Sequence, residues 1–196
     1  MADPPRHDFE AMYQGTAPWE VGVPQPEVVR LAEEGAFRGS VLDVGCGTGE
    51  NALFLAARGL AVRGVDGSPT AIARGREKAA ARGLSVRFEV ADALDLGALR
   101  ERFETVLDSG LLHVFDDDER KRYAAALGEA VGSGGQLHVL AFSEEEQGPG
   151  PRRLSEWDFR ATFRGLFVLT RIRPGLFLSN LHPGGAKAWV ATLTRL

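Results

Sequence analysis

The sequence contains one cysteine, Cys46, among 196 residues. A single thiol excludes a disulfide within the chain and any zinc site built from several cysteines. Long apolar runs are also missing, since none approaches the roughly 18 residues of a membrane-spanning helix. The polar, proline-containing N-terminus lacks the apolar centre of a signal peptide. We therefore expect a cytoplasmic protein with no membrane partner.

Positive charge is scarce as well. The 23 Lys and Arg residues are outnumbered by 27 Asp and Glu, which gives a net charge of −4. Because a sequence-independent nucleic-acid binder needs a basic face, this balance argues against nucleic acid as a partner. The remaining composition, 44% hydrophobic and 26% charged, is that of an ordinary globular protein. The length suits one domain with its own core, and we expect residues 1–196 to form it.

Between residues 36 and 142, predicted strands alternate with predicted helices. Ser68-Pro69, for example, is a helix entry in which an N-cap precedes a proline at the first helical position. Such alternation is typical of a mostly parallel sheet that is covered by helices on both faces. The predicted strands span 41–44, 61–66, 86–90, 105–108 and 136–142, and the predicted helices span 50–58, 69–82, 96–102 and 116–131, the last one ended by Gly132–Gly135.

The two flanks of this core have different patterns. Residues 1–8 are polar and are predicted to fray, and residues 9–35 are predicted to hold two short helices, 9–15 and 26–34. After an acidic loop, 143–151, a helix is predicted over 155–163, followed by strands 167–172 and 187–193 that a loop joins. Two strands joined in this way pair antiparallel as an edge hairpin. We predict a single-domain α/β fold with a seven-stranded, mostly parallel sheet, helices on both faces and this antiparallel C-terminal hairpin.

Three glycines at alternate positions, Gly45, Gly47 and Gly49, follow the first predicted strand and lead directly into a helix. Such a turn lets backbone N–H groups approach a ligand at the positive end of the helix. A Walker-type loop would need a Lys-Ser/Thr pair that is absent here, and the dinucleotide fingerprint would need Gly or Ala where Glu50 stands. We expect the carboxylates of Glu50 and Asp43 to repel a pyrophosphate and to favour a cationic ligand with an amino group.

The segment Asp43–Gly49 resembles motif I of the Rossmann-like S-adenosylmethionine-dependent methyltransferases. Asp66 then matches the family's second acidic residue, a natural partner for two ribose hydroxyls. Ala91-Asp92-Ala93 resembles the adenine-side motif, and Asp108-Ser109-Gly110 resembles motif IV. The resemblance covers roughly residues 9–142 and implies S-adenosyl-L-methionine as cofactor and S-adenosyl-L-homocysteine as product. The cofactor-binding residues that it implies are Tyr13, Trp19, Asp43, Gly45, Cys46, Gly47, Thr48, Gly49, Asn51, Asp66, Gly67, Ser68, Ala91, Asp92, Ala93, Asp108 and Ser109.

A narrower resemblance lies in the N-terminal segment. Tyr13-x-Gly15 followed by Pro18-Trp19-Glu20 is similar to the thiopurine, tellurite and heterocyclic-toxin methyltransferases. In that group this segment covers the cofactor, which implies a helical lid over residues 9–35, a cofactor-binding core over 36–142 and an acceptor side over 143–196. The aromatic face of Trp19 suits a sulfonium as it suits an ammonium.

The candidates for the acceptor side are Trp19, His113, Phe177 and His182. His113 follows the motif IV segment and is expected near the transferred methyl group, where histidine is the usual base near neutral pH. The alternative is a histidine hydrogen-bonded beneath the next helix. Likewise Asp92 could merely cap the helix after it, and Cys46 is expected to be a small residue in a tight turn. No paired carboxylates indicate a metal site.

These assignments predict methyl transfer by in-line displacement to an O, N or S atom of a small aromatic or heterocyclic acceptor, for example in detoxification. Positioning would supply most of the acceleration, with His113 an optional base. The Asn-Pro-Pro-Tyr type of tetrapeptide that marks DNA and some protein methyltransferases is absent after the fourth strand. A halide or tellurite acceptor, an inactive cofactor-binding regulator and a nicotinamide-dependent oxidoreductase are the alternatives. Either a monomer or a homodimer is compatible with the sequence.

Overall fold

The computed structural model describes residues 9–196, so the predicted fraying of residues 1–8 lies outside the described part. Seven strands form one sheet in the order β3-β2-β1-β4-β5-β7-β6. β1 to β5 run parallel, and β7 pairs antiparallel with both β5 and β6. The mostly parallel sheet and its antiparallel C-terminal hairpin are therefore confirmed. The strands are β1 Ser40–Val44, β2 Ala61–Asp66, β3 Arg87–Val90, β4 Phe103–Ser109, β5 Val131–Phe142, β6 Phe167–Ser179 and β7 His182–Arg195.

Helices cover both faces of the sheet, as predicted. Neighbouring side chains of β1 point to opposite faces, and Leu42 and Val41 belong to two different buried apolar clusters. Tyr123 and Phe159 pack in the first cluster, and Leu31 packs in the second. The α-helices are α1 Phe9–Met12, α2 Pro26–Glu33, α3 Glu50–Ala56, α4 Pro69–Ala81, α5 Asp117–Ala130 and α6 Glu156–Thr162.

The strand order changes direction at β1, because β2 and β4 flank it on opposite sides. Val44 at the end of β1 pairs with Asp108 near the end of β4, so the turn after β1 lies beside the loop after β4. In open α/β sheets, the crevice at such a point is where ligands bind. The topology thus brings the three-glycine turn and the segment after Asp108 to one edge of the sheet.

The side chain of Phe88 occupies space that three glycines near this edge leave open. A Cβ atom added to Gly49, Gly64 or Gly75 would lie 2.4, 2.7 or 3.3 Å from the Phe88 ring. These glycines come from the turn before α3, from β2 and from the middle of α4. Gly75 costs α4 about 1 kcal/mol in helix propensity relative to alanine, but it makes room for this ring.

The predicted loop between the last two strands is wrong. β6 continues to Ser179 and β7 begins at His182, so a two-residue turn replaces a loop that was expected over 174–185. Pro174 is tolerated because β6 is an edge strand, where a missing N–H group is least costly. Phe177 and Ala186 pair across the hairpin and are both buried, which favours strand over loop.

Two smaller differences concern the core. β5 begins at Val131, so the Gly132–Gly135 run lies inside the strand, next to a register shift between Phe103 and Thr105. The segment predicted as a helix over 96–102 is a 3₁₀ helix, Ala93–Leu99, that a non-helical Asp95 interrupts. Glycine runs and short polar segments carry little information about which of these local structures tertiary packing selects.

Candidate functional site

A cleft of about 480 Å³, including its mouth, opens at the ends of β1 and β4. This volume is within the roughly 300–1,000 Å³ that is typical of small-molecule sites. The turn after β1 forms one wall, residues 19–25 form a cover, and Ser109 and Phe177 come from the loop after β4 and from the hairpin. The candidate residues that line it are Trp19, Gly45, Cys46, Gly47, Thr48, Gly49, Asn51, Ser109 and Phe177.

Backbone hydrogen bonds fix the conformation of the glycine turn. The Cys46 N–H group donates to the Val65 carbonyl at 2.9 Å, and the Gly47 N–H group donates to the Asp66 carboxylate at 2.9 Å. All three glycines have positive φ angles, which an L-residue adopts only with strain. The turn is therefore preformed against the end of β2.

Asp66 joins the turn to the start of α4. One of its oxygens accepts from Gly47 and the other accepts from the Ser68 N–H group at 2.9 Å. Burial raises the pKa of this carboxyl group, and the two backbone donors oppose the rise. Each carboxylate oxygen has a further lone pair, which leaves acceptor capacity for hydroxyl groups of a ligand. Gly67 is exposed between Asp66 and Ser68.

Asp43 is a buried carboxyl group without a hydrogen-bond partner. Its residue is 1% exposed, and neither of its oxygens has a partner. Burial, with the nearby carboxylates of Asp108 and Asp66, raises its pKa to about 8. The backbone of Ala52 opposes this rise, although it forms no hydrogen bond with either carboxyl oxygen of Asp43. An unpaired buried charge is costly, and a bound cation that carries N–H donors would relieve the cost. This group therefore fits a ligand with an ammonium.

The cover over the cleft is held by a hydrogen bond between two aromatic residues. The Trp19 indole N–H group donates to the Tyr13 hydroxyl at 2.8 Å, and the two rings meet edge to face. Glu10 accepts from the hydroxyls of Ser68 and Thr70, which ties α1 to the first turn of α4. Trp19 reaches the cleft directly, whereas Tyr13 is buried behind it.

His113 is buried at the acceptor side rather than exposed in the cleft. Its Nδ1 atom accepts the Phe142 N–H group at 2.9 Å, and its ring packs against those of Phe142 and Phe177. Burial and the positive charge of Arg153 lower its pKa to about 3. Because Nδ1 is the acceptor, the neutral ring carries its hydrogen on Nε2.

His182 joins the same group of rings. It packs against Phe142 at 5.4 Å between centroids, and its Nδ1 atom lies 3.1 Å from the Ser179 hydroxyl. The group of rings formed by His113, Phe142, Phe177 and His182 reaches the cleft through Phe177. We refer to these four residues as the aromatic cluster.

Asp108 is enclosed by protein groups and does not line the cleft. Its carboxylate accepts from the Leu111 and Leu112 N–H groups and from the Tyr123 hydroxyl at 2.9 Å. Burial raises its pKa to about 7, although these donors oppose the rise. Its contacts shape the loop after β4, and its neighbour Ser109 is the residue that reaches the cleft.

The adenine-side segment lies at the end of β3, next to Asp66. The Ala91 N–H group donates to the Asp66 carbonyl at 3.1 Å, and Ala93 begins the 3₁₀ helix. Asp92 is exposed, and its carboxylate accepts from the Leu94 N–H group at 2.8 Å, so it does cap the helix that follows. An exposed carboxylate retains room for a second partner.

Glu50 also lines the cleft, and its carboxylate is paired with two cations. It lies 2.9 Å from the Lys78 ammonium and accepts two hydrogen bonds from Arg82, which are 2.9 and 3.0 Å long. These partners, both on or next to α4, hold its pKa below the usual range although burial raises it. Because these two cations share its charge, Glu50 has less capacity than the unpartnered Asp43 to bind a cationic ligand, and its contact with the cofactor stays a prediction.

Sequence reasoning missed the part of the cover that follows Trp19. Val21, Val23 and Gln25 line the cleft but belong to no motif, and Glu20, although part of the Pro18-Trp19-Glu20 segment, was not among the predicted site residues. Their only sequence signal is the Pro-rich character of the segment, which indicates a fixed loop without identifying a ligand contact. Gln25 is 5% exposed, which is unusual for glutamine.

Neither a metal centre nor a membrane segment emerges from residues 9–196. No group of three or more His, Cys, Asp or Glu side chains in this range is placed to hold a metal ion. Within the same range, no helix has the length and apolar character needed to cross a bilayer. The cytoplasmic location and the oligomeric state stay predictions.

Several of the known proteins to which this chain is similar are methyltransferases. A family model described as a methyltransferase domain matches residues 41–135. The chain is 36% identical to 2-heptyl-1-hydroxyquinolin-4(1H)-one methyltransferase of Mycobacteroides abscessus, over 91% of this chain and 86% of that protein. It is 29% identical to probable thiol methyltransferase 2 of Arabidopsis thaliana, over 70% of this chain and 62% of that one.

Solved structures agree with this. One from work on the conversion of a disulfide bond into a thioacetal group during echinomycin biosynthesis is 40% identical, with a TM-score of 0.87, and covers 95% of this chain and 91% of that one. Magnesium protoporphyrin IX methyltransferase from Synechocystis, with bound S-adenosylhomocysteine, shares the fold at 21% identity and a TM-score of 0.68, covering 87% and 80%.

The switch-point cleft and the glycine turn define a cofactor-binding enzyme with a Rossmann-like sheet. The chain belongs to the class I S-adenosylmethionine-dependent methyltransferases. Its cofactor is S-adenosyl-L-methionine, and its acceptors are small molecules. The unpartnered Asp43 carboxylate and the open lone pairs of Asp66 fit the amino group and the ribose hydroxyls of this cofactor.

Proposed function

We propose that this enzyme methylates an oxygen atom of a small aromatic heterocycle whose hydroxyl group arrives already ionised. The observation that carries the proposal is the state of His113. Its imidazole is neutral, with a pKa of about 3, and its Nδ1 atom is occupied by the Phe142 N–H group. Such a ring donates a hydrogen bond from Nε2 but does not take up a proton near neutral pH.

The aromatic cluster supports an acceptor that is flat and largely apolar. Phe142 and Phe177 lie 5.5 Å apart between ring centroids and meet edge to face. Rings in this arrangement pack well against another aromatic surface. The relative from Mycobacteroides abscessus is named for a hydroxyquinolinone, a heterocycle that carries an N-hydroxyl group. The N-hydroxyl or phenolic oxygen of such a compound is the proposed methylated atom.

The chain's own part in the reaction is to bind, orient and exclude water. When bound, the cofactor supplies an electrophilic methyl carbon on a sulfonium and leaves as S-adenosyl-L-homocysteine. Asp43 binds the amino group of the cofactor and Asp66 its ribose hydroxyls, while Trp19 covers the site. The aromatic cluster orients the acceptor through Phe177, the member that reaches the cleft, so alignment supplies most of the rate.

The test is methylation of 2-heptyl-1-hydroxyquinolin-4(1H)-one by the purified protein, with the product identified by mass spectrometry. A panel that contains a phenol, an aromatic thiol, iodide and tellurite measures selectivity. We expect the highest kcat/KM for the N-hydroxyl or phenol compound, with a pH dependence that follows the pKa of the acceptor. Cofactor binding without turnover of any compound would favour the inactive regulator instead.

A sulfur acceptor is the second candidate. It rests on the 40% identity to the structure from the study of a disulfide converted into a thioacetal, and on the thiol methyltransferase relative. Sulfur in a thiolate or disulfide also needs no base to be methylated, so the neutral His113 is compatible with it. Faster methylation of the aromatic thiol than of its phenol analogue would replace the first proposal by this one.

A further inference from the structure

Gln25 connects the cofactor turn to the acceptor-side hairpin. Its backbone N–H group donates to the Asn51 side chain at 2.9 Å, in the first turn of α3. Its side-chain amide donates to the Leu178 carbonyl at 3.0 Å and accepts the Leu178 N–H group at 2.8 Å. The amide thus pairs with the edge strand β6 as a neighbouring strand would.

A second contact joins the same two segments. Asn180, in the turn between β6 and β7, donates its backbone N–H group to the Pro18 carbonyl at 2.7 Å. Its side-chain amide donates to the Glu20 carbonyl at 3.1 Å. The cover, residues 19–25, is therefore hydrogen-bonded to the hairpin near both of its ends, at Gln25 and at Glu20 with the preceding Pro18.

These contacts connect the cofactor cleft with the aromatic cluster at the acceptor side. Asn51 lines the cofactor cleft, and Leu178 follows Phe177, which also lines the cleft and belongs to the aromatic cluster. The Phe177 ring would lie 2.8 Å from a Cβ atom on Gly110, so little space separates the hairpin from the loop after β4. A displacement of β6 at Leu178 therefore acts on the cover through Gln25.

We propose that Gln25 is a positioning residue that couples cofactor retention to the acceptor site. Residues 19–25 cover the cleft, so the cofactor product leaves when this segment moves away and the Gln25 pair with Leu178 opens. An acceptor packed on Phe177 steadies β6 and with it the closed cover. Coupling between two sites is reciprocal, so the cofactor product must also tighten acceptor binding by the same factor.

The first experiment measures the dissociation rate of S-adenosyl-L-homocysteine by stopped-flow fluorescence of Trp19 and the other tryptophans. Removal of two hydrogen bonds leaves the Leu178 groups unpaired, and we expect Gln25→Ala to release the product roughly tenfold faster. Gln25→Glu keeps an acceptor for the Leu178 N–H group, so its rate should fall between those of Gln25→Ala and the unmodified protein. The exposed Gln14→Ala is the matched control and should be unchanged.

The second experiment separates coupling from a loss of stability. The affinity for S-adenosyl-L-homocysteine is measured with and without saturating 2-heptyl-1-hydroxyquinolin-4(1H)-one. We expect the compound to tighten product binding in the unmodified protein at least threefold and to have no such effect in Gln25→Ala. A merely structural role would weaken binding equally under both conditions.

This inference rests on the proposed function only for the choice of the acceptor probe. A hydroxyquinolinone that does not bind at all overturns the proposed acceptor class, while the release rate still decides the role of Gln25. An unchanged release rate in Gln25→Ala, or equal tightening by the compound in both proteins, overturns the coupling.

Discussion

The hydroxyl oxygen of Tyr13 lies 3.0 Å from the place that a Cβ atom would take on Gly47. This hydroxyl also accepts the hydrogen bond from the Trp19 indole, so the cover rests directly on the glycine turn. At Gly47 the N–H group points to Asp66, and the absent side chain makes room for Tyr13. The turn and the cover are thus fitted to each other as well as to the cofactor.

Gly47→Ala should weaken S-adenosyl-L-homocysteine binding by tenfold or more. The new methyl group meets the Tyr13 hydroxyl, and the φ angle of +54° is strained for alanine. Gly59→Ala is the control, because its φ angle of +85° is also unfavourable but nothing lies within 4 Å. Both variants should lose about 1 kcal/mol of unfolding free energy in urea, from backbone strain alone. Equal binding losses in the two variants would contradict the proposed contact with the cover.

Cofactor binding should release a proton from Asp43 below about pH 8. The pKa of this carboxyl group is raised to about 8 in the free protein. An adjacent ammonium favours the ionised form, so binding shifts the proton off and affinity rises as pH increases towards 8. Calorimetry in buffers of different ionisation enthalpy measures the release directly. Asp43→Asn should abolish it and weaken binding, whereas the exposed Asp118→Asn should change neither.

The same substitution should stabilise the free protein at high pH. Below the unfolded pKa of about 4, Asp43 is protonated in both states and costs nothing. Between about pH 4 and its folded pKa of about 8, only the unfolded state loses the proton, so the unfolding free energy falls as pH rises. Asp43→Asn removes this pH-dependent loss of unfolding free energy. In urea titrations the variant should therefore be more stable than the unmodified protein, by a difference that grows with pH to a few kcal/mol. Asp108 also makes the unfolding free energy fall as pH rises, because its pKa is raised to about 7. A variant that is less stable at every pH would contradict the unpaired state of Asp43.

His113→Ala should lower kcat by no more than about tenfold and leave the shape of its pH profile unchanged. A ring with a pKa of about 3 is neutral throughout the working range, so it contributes no ionisation to the profile. Loss of a general base would instead cost roughly 10²- to 10⁴-fold and shift a limb of the profile. Because the substitution also leaves the Phe142 N–H group unpaired, unfolding should be measured in parallel. His182→Ala, in the same aromatic cluster, is the companion variant, and its kcat and unfolding are measured in the same way.

Those parts of the fold that depend on contacts between residues close together in the sequence could be predicted. Ser68 caps α4 and Asp116 forms a capping box with Glu119, because the capping atoms lie within three residues of the groups they bind. The glycine turn is local in the same sense. The ligand class was predicted from the resemblance and from the charges of Glu50 and Asp43, but the sequence did not show that Glu50 is paired with cations while Asp43 has no partner. Arg82 neutralises the Glu50 carboxylate from 32 positions away.

Contacts between distant segments could not be predicted in this way. Gln25 and Leu178 are separated by 153 positions, and neither belongs to a recognisable motif. The length of the β6–β7 hairpin was hidden for a similar reason, because Pro174 and the nearby glycines predict a loop unless the edge position of β6 is known. The sequence places His113 in the loop after β4, but the protonation state of its ring could not be predicted, since its Phe142 partner lies 29 positions later.

The ring of Phe88, on β3, packs against the cofactor turn at Gly49. Gly49, Gly64 and Gly75 leave space for this one side chain, so an alanine at any of the three competes with it for the same volume. Among related chains, these four positions should therefore change together, with a smaller residue at 88 wherever a glycine has been replaced. Engineering that alters the turn alone would meet this constraint first, whichever acceptor it was designed for.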